Sequence, residues 1–177
     1  LHSSIRSREA CIASTRKALD LALKYHSRLH ILHISTKEEV ELIREARCVH
    51  SGISCEASLP HMWFTEEDYG RYGTQVKCNP AIKTAEDRDA ILKALEKRDI
   101  QAIGSDHAPH TWEEKQQNYT NAPSGIPLIQ HTCQMMMELV QSRQLSLTSF
   151  VDACCHQPSI LFGIRNRGFI REGYYAD

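Results

Sequence analysis

The sequence predicts an α/β fold built on a parallel sheet. Two observations lead there: short apolar runs at residues 29–34, 53–57 and 100–104, and amphipathic helical segments lying between them. Strands that alternate with helices make βαβ units, and such folds collect their ligand sites at the carboxyl ends of the strands. At 177 residues the chain suffices for one domain with a sizeable core, and residues 1–177 are taken as a single domain.

Each element has a local reason. From residue 7 to 25, Ala10, Ala13, Ala18, Leu21 and Ala22 recur at helical spacing behind Ser7, a suitable N-cap. The run 29–34 is too short for a helix and is bounded by polar residues, so it is predicted as a buried strand. Thr36 and Glu39 form a capping-box pattern that opens a helix reaching residue 48. A second strand is expected at 53–57 and a short surface helix at 65–72, with Gly70 and Gly73 near its end. Residues 76–78 are expected to be extended, closing at Asn79-Pro80. A helix over 84–97 carries acids near its start and Lys93, Lys97 and Arg98 near its end, the polarity that its dipole favours. The third strand spans 100–104. A long polar loop, 105–127, follows and is of a length associated with function. Helices are expected at 128–141, 147–156 and 158–162.

Composition narrows the function. Hydrophobic residues make up 41% and charged residues 24%, which is ordinary for a globular protein. The net charge of −1 comes from 21 basic and 22 acidic residues with no long like-charge block, so neither nucleic acid nor a membrane surface is an expected partner. No apolar run approaches the roughly 18 residues of a membrane span. Seven scattered cysteines without a CxxC pair fit reduced thiols in the cytoplasm. There is no GxGxxG, P-loop or GxSxG pattern. Ten histidines are many for this length, a first hint of metal or acid–base chemistry. The chain begins at Leu1 and stops at Asp177, and it is expected to be a piece of a longer protein.

The residues just after each strand are the chemical candidates. Ser105-Asp106-His107-Ala108-Pro109-His110 places one carboxylate and two imidazoles in a short run, a set able to bind a divalent metal and move protons. A turn-capping Asp with two solvent-facing histidines would look the same. His33 falls at the tip of its strand, on the face of Leu29 and Ile31, where it would point into a mouth; a satisfied core histidine is the alternative. Glu56, at the end of an otherwise apolar strand, needs a cation or donors if buried, and support of a neighbouring group ranks ahead of metal binding. His61 has aromatic neighbours and is expected to pack. Asn79 could hydrogen-bond a small polar substrate or merely close a turn. Ser124-Gly125-Ile126-Pro127 lets backbone groups approach a ligand closely. The Met135-Met136-Met137 run and Cys154-Cys155 are expected to belong to helices and core.

In combination these motifs are specific. His33 with Ser35-Thr36, Ser54-Cys55-Glu56, Asn79-Pro80, the Asp106–His110 run and Ser124–Pro127 resemble, in order and spacing over nearly the whole chain, the dihydroorotases of the cyclic amidohydrolase superfamily. The resemblance implies the C-terminal portion of a (β/α)8 TIM barrel, strands six to eight with their flanking helices, from an enzyme that holds one or two zinc ions at the carboxyl end. It implies that His33 is a metal ligand of the sixth strand and that Asp106, after the eighth, touches metal and shuttles the proton. His110 would bind the substrate carboxylate, while Asn79 and the backbone of Gly125 and Pro127 would line the pyrimidine ring. Glu56 stands as a supporting group or an additional metal ligand. The implied reaction is reversible ring opening of dihydroorotate to N-carbamoyl-L-aspartate in pyrimidine synthesis, with a small-molecule substrate and a homo-oligomeric full-length enzyme.

The departures also carry information. The family's first-strand His-x-His pair, the arginine after it, the bridging lysine or aspartate and the fifth-strand histidine are absent from this sequence. His2 stands before a helix start and does not replace them. The chain alone is therefore expected to be inactive and to bind zinc poorly. Two alternatives remain open: an allantoinase or hydantoinase, and a non-catalytic dihydroorotase-like scaffold subunit.

Overall fold

A computed structural model describes residues 2–176. Among them, three parallel strands form one sheet in the order β1 (Leu29–Ile31), β2 (Ile53–Ser58), β3 (Ala102–Gly104), pairing His30 with Ser54 and Glu56 with Ala102. Helix α1 (His2–Ile5) is a single turn. Helices α2 (Arg8–Tyr25), α3 (Lys37–Val49) and α6 (Ala85–Glu96) cover one face of the sheet, and α4 (Leu59–Trp63) and α5 (Asp68–Tyr72) follow β2. The two faces differ because side chains alternate along a strand. Ile53, Cys55 and Ala57 join the buried core with Leu19 of α2, Ile43 of α3 and Ile91 of α6. The opposite face is polar: the His30 ring bonds Ser54 Oγ at 2.8 Å and Glu56 Oε2 at 3.2 Å. This is a sector of a (β/α)8 barrel, with helices outside and a polar lumen side.

The helix starts follow their predicted caps. Ser7 accepts a hydrogen bond from the Ala10 amide, and the Thr36–Glu39 capping box is complete. Thr84 with Asp87 makes a second box at the start of α6. Glu39 is more than a cap. Its buried carboxylate also accepts from Thr15 Oγ1, Ser35 Oγ and the Ser35 amide, which ties α2 to the end of β1.

Four expectations are corrected. Strand β1 ends at Ile31 rather than residue 34, because His33 takes φ 39° and Ile34 turns to donate its amide to the Glu56 carbonyl. Strand β2 runs on to Ser58, so Glu56 lies inside it rather than at its end. The extended segment expected at 76–78 begins later, since Val76 ends a 3-10 turn (Gly73–Val76) while Lys77 is extended at φ −70°, ψ 115°, its carbonyl accepting from the Gly125 amide. The helices expected at 147–156 and 158–162 are continuous. Helix α9 (Leu147–Val151) passes through a π-helical turn, Asp152–His156, into α10 (Gln157–Leu161). A widened turn accommodates Pro158, which has no amide proton for an α-helical bond. The loop 105–127 also contains structure of its own, a single turn α7 (Trp112–Lys115) and a bridge between His107 and Ile126. Helix α8 (Thr132–Gln141) contributes Met136 and Leu139 to the core.

Candidate active site

His33 and Asp106 occupy equivalent places. Each follows the carboxyl end of a strand, β1 and β3, on the two sides of β2, and the parallel sheet puts both at the same end of the barrel sector. Each also has a left-handed backbone, φ 39° at His33 and φ 48° at Asp106. For residues with a Cβ this conformation costs about 1–2 kcal/mol. The other positive-φ residues with side chains, His26, Arg98, Arg143 and Asn166, lie just past helix ends or in a C-terminal turn. Strain at paired strand ends is of the kind that marks functional sites. Two strand spacings separate β1 from β3, about 10 Å, so two side chains reaching inward over β2 could share a ligand.

The segment between Cys78 and Pro80 is their common neighbour. Burial, and after it the Asp106 carboxylate, push the Cys78 thiol up to about 12. His61 lies on the other side of this segment, its Nε2 donating to the Pro80 carbonyl at 2.9 Å and its Nδ1 accepting from Ser58 Oγ at 2.8 Å. Burial pulls the His61 pKa down to about 4; the Pro80 carbonyl opposes this and nearby His33 adds to it. His61 is thus a neutral strut that fixes the cis Asn79-Pro80 turn against the end of β2. The expectation that it packs is met, but by hydrogen bonding rather than by its aromatic neighbours. Asn79, exposed at the tip of that turn, lines a cavity of about 530 Å³ together with His33.

The long loop folds over the same end. The Ala108 amide donates to the Ile126 carbonyl, and Gly125 is buried at φ 138°, where an added Cβ would lie 2.5 Å from Ala108 Cβ and 2.6 Å from its carbonyl oxygen. Only glycine lets these two segments approach so closely. His110 is half-buried, with Nε2 donating to the Ser124 carbonyl at 3.2 Å and Nδ1 3.7 Å from Glu114. Pro127 is exposed. His107 turns away from this cluster and accepts from the Ile129 amide.

Three supporting residues had no readable signal. Lys115 is buried and donates to the carbonyls of Lys77, Pro123 and Gly125 at 2.9–3.0 Å, while burial pushes its pKa down to about 8. Lys77 donates to the carbonyls of Tyr119 and Ala122. His2 bonds the Cys78 carbonyl and Tyr119 Oη, each at 2.8 Å. In a sequence these are a lysine in a polar loop, a lysine beside a turn and a histidine near the start of the chain. None follows a periodic pattern.

Glu56, for which support of a neighbouring group ranks ahead of metal binding, faces the lumen. Its carboxylate bonds His30 on the lumen face, and Gly104 leaves room for it, since a Cβ there would sit 2.5 Å from Glu56 Oε1. The His30 ring is thus its hydrogen-bond partner within the sheet. Among the described residues no group of three or more His, Cys, Asp and Glu side chains gathers to hold a metal ion. His33 and Asp106 have the right donor chemistry for zinc, yet two ligands fall short of a tetrahedral set.

Comparison with known proteins agrees with this geometry. A model of the amidohydrolase family matches residues 14–177. The chain is 34% identical to a dihydroorotase of Methanosphaera stadtmanae over 99% of its length and 40% of that protein's. It is 37% identical to a dihydroorotase of Clostridioides difficile over 89% of its length and 37% of that protein's. Among solved structures, an L-hydantoinase (dihydropyrimidinase) from Arthrobacter aurescens superposes with a TM-score of 0.88 at 30% identity, covering 94% of this chain and 38% of the other. A D-hydantoinase from Bacillus sp. AR9 gives a TM-score of 0.92 at 26% identity, covering 99% and 41%. The chain spans about two fifths of the length of these relatives.

Proposed function

The chain belongs to the amidohydrolase family, and from that premise we propose that it is the sector carrying strands six to eight of a metal-dependent cyclic amide hydrolase that interconverts dihydroorotate and N-carbamoyl-L-aspartate. One observation carries this proposal: His33 and Asp106 stand, both with left-handed backbones, at the carboxyl ends of parallel strands on the two sides of β2. The curated relatives named dihydroorotase support the choice of substrate.

In this proposal His33 and Asp106 are two of the ligands of a zinc site that holds one or two ions. Zinc, when bound, supplies an activated water at neutral pH and polarises the ring amide carbonyl. Asp106 takes the proton of the attacking water and delivers it to the leaving ring nitrogen, a transfer that a positioned carboxylate accelerates by about 10²–10⁴-fold. Asn79 and the backbone at Gly125 and Pro127 line the ring. His110, oriented by its bond to the Ser124 carbonyl, presents its other edge to the substrate carboxylate. The protein works in pyrimidine synthesis in the cytoplasm, on a small-molecule substrate, as a homo-oligomer when complete. The chain by itself is inactive and binds zinc weakly, since two donors make an incomplete set.

Hydantoin hydrolysis is the second candidate, because the similar solved structures include hydantoinases. Hydrolysis of dihydroorotate, hydantoin, dihydropyrimidines and allantoin by the complete protein separates the two. Preference for dihydroorotate by a hundredfold or more in kcat/KM is expected. Preference for an uncarboxylated ring would favour the hydantoinase, and no turnover of any ring would leave a scaffold.

A further inference from the structure

A buried cation stands beside a thiol at the wall of the larger cavity. Cys11 lies in the opening turn of α2, half-buried, and lines the cavity of about 530 Å³ together with Arg6, His33 and Asn79. Two groups present protons to its sulfur. The Lys83 ammonium is 3.8 Å from Cys11 Sγ, and the Ser35 hydroxyl is 3.6 Å from it, sharing its proton with the Glu39 carboxylate at 3.2 Å. They come from different segments, Ser35 just after β1 and Lys83 just before α6.

Lys83 is the more telling of the two. It is 5% exposed and donates to the Ala81 carbonyl at 2.7 Å. Among the described residues no carboxylate forms an ion pair with it. A buried ammonium is ordinarily paired, because leaving water is costly for a charge. The sulfur of Cys11, as thiolate, is an anion at hand to balance it. The start of an 18-residue helix also favours negative charge at this place. Thiolate is the attacking form of cysteine, and cations and helix starts promote it.

The cavity gives a ligand room to approach. Glu39, which also lines it, is taken up by Thr15, Ser35 and Thr36, whereas Arg6 is exposed at the edge and adds a positive charge. We propose that Cys11 is a thiol-exchange site that takes a small anionic disulfide from this cavity, with Lys83 holding the attacking sulfur. In the exchange Cys11 Sγ attacks one sulfur of the disulfide, whose S–S bond breaks as the new one forms. The released thiolate takes up the proton that Cys11 gave up. The protein thiol is oxidised, and the small disulfide is reduced to one bound and one free half. The exchange needs neither metal nor cyclic amide.

The test is reaction of the complete protein with oxidised glutathione, with peptide mass mapping of the mixed disulfides at Cys11, Cys48 and Cys133. Cys48 and Cys133 are exposed, and Cys133 also lies in the first turn of α8, so exposure or a helix start alone would favour them. Cys11 is expected to react threefold or more faster than either. Lys83→Met is expected to slow Cys11 threefold or more while Cys48 is unchanged. A smaller lead over the exposed thiols, or a smaller slowing in the variant, overturns the proposal. Should Lys83→Met fail to fold, the order of the three thiols in the unmodified protein decides by itself.

Discussion

The sheet with its helices and the loops at its mouth are stabilised in different ways. From β1 through α3 to β2, apolar alternation and helical periodicity bury Ile43, Ile53 and Cys55, and a capping box starts the helix. Around residues 76–83 a small second apolar cluster forms from Val76, Cys78 and Ile82, and there and in 105–127 polar side chains also hold backbone carbonyls. His2 holds Cys78, His61 holds Pro80, Lys77 holds Tyr119 and Ala122, and Lys115 holds Lys77, Pro123 and Gly125. Hydrophobic packing makes the platform, and a small apolar cluster with a few buried donors makes the mouth. Substitutions in the mouth should therefore loosen it while leaving the platform folded.

The largest such effect is expected at Lys115. Lys115→Met removes the side-chain donor from the Pro123 and Gly125 carbonyls and one of the two donors to the Lys77 carbonyl, a loss of roughly 3–4 kcal/mol given what bonds to charged groups and orphaned buried acceptors are each worth. Hydrogen exchange should show protection falling across 105–127 while α3 and α6 are unchanged; uniform loss of protection would deny the division between platform and mouth.

His61 adds a pH dependence. Its folded pKa of about 4 lies below the ordinary 6.5, so the unfolded chain binds more protons between those values. Stability from this group is complete above pH 6.5 and is lost as pH falls towards 4, on the order of 3 kcal/mol in all. Denaturant titrations from pH 7 to 4 should show this slope, and His61→Gln should flatten it. An unchanged slope in the variant would place the acid sensitivity elsewhere.

The smallest effect tests the platform. His26 caps α2 with φ 50°, a conformation glycine adopts without penalty. His26→Gly should stabilise the fold by about 0.5–1 kcal/mol in the same titration, and destabilisation would show that the side chain contributes more than its backbone strain costs.

The same division explains what the sequence disclosed. The strands, α2, α3 and α6 were readable because burial imposes a period and caps need particular residues at fixed offsets; Ser7, Thr36 and Glu39 act as their positions imply. Strand ends were less readable. His33 was expected to continue the alternation of Leu29 and Ile31, but a left-handed turn intervenes that no pattern of apolar residues encodes. Glu56 is read near a strand end, and the one further residue of β2 was hidden because Ser58 suits strand or loop equally. His33, Asn79, Asp106 and His110 were picked out by their place after strands and by their likeness to a family. Lys115 and His2 were not, since a side chain that binds backbone carbonyls far away in sequence leaves no local mark.

The central claim is that Asp106 moves the proton at a site it shares with His33. It is tested most directly by Asp106→Asn in the complete protein, with dihydroorotate turnover measured alongside bound zinc. Loss of kcat by about 10³-fold or more is predicted, within the range for removing a positioned proton carrier, with His33→Ala lowering both turnover and zinc content. Retention of turnover within tenfold in Asp106→Asn would contradict the assignment.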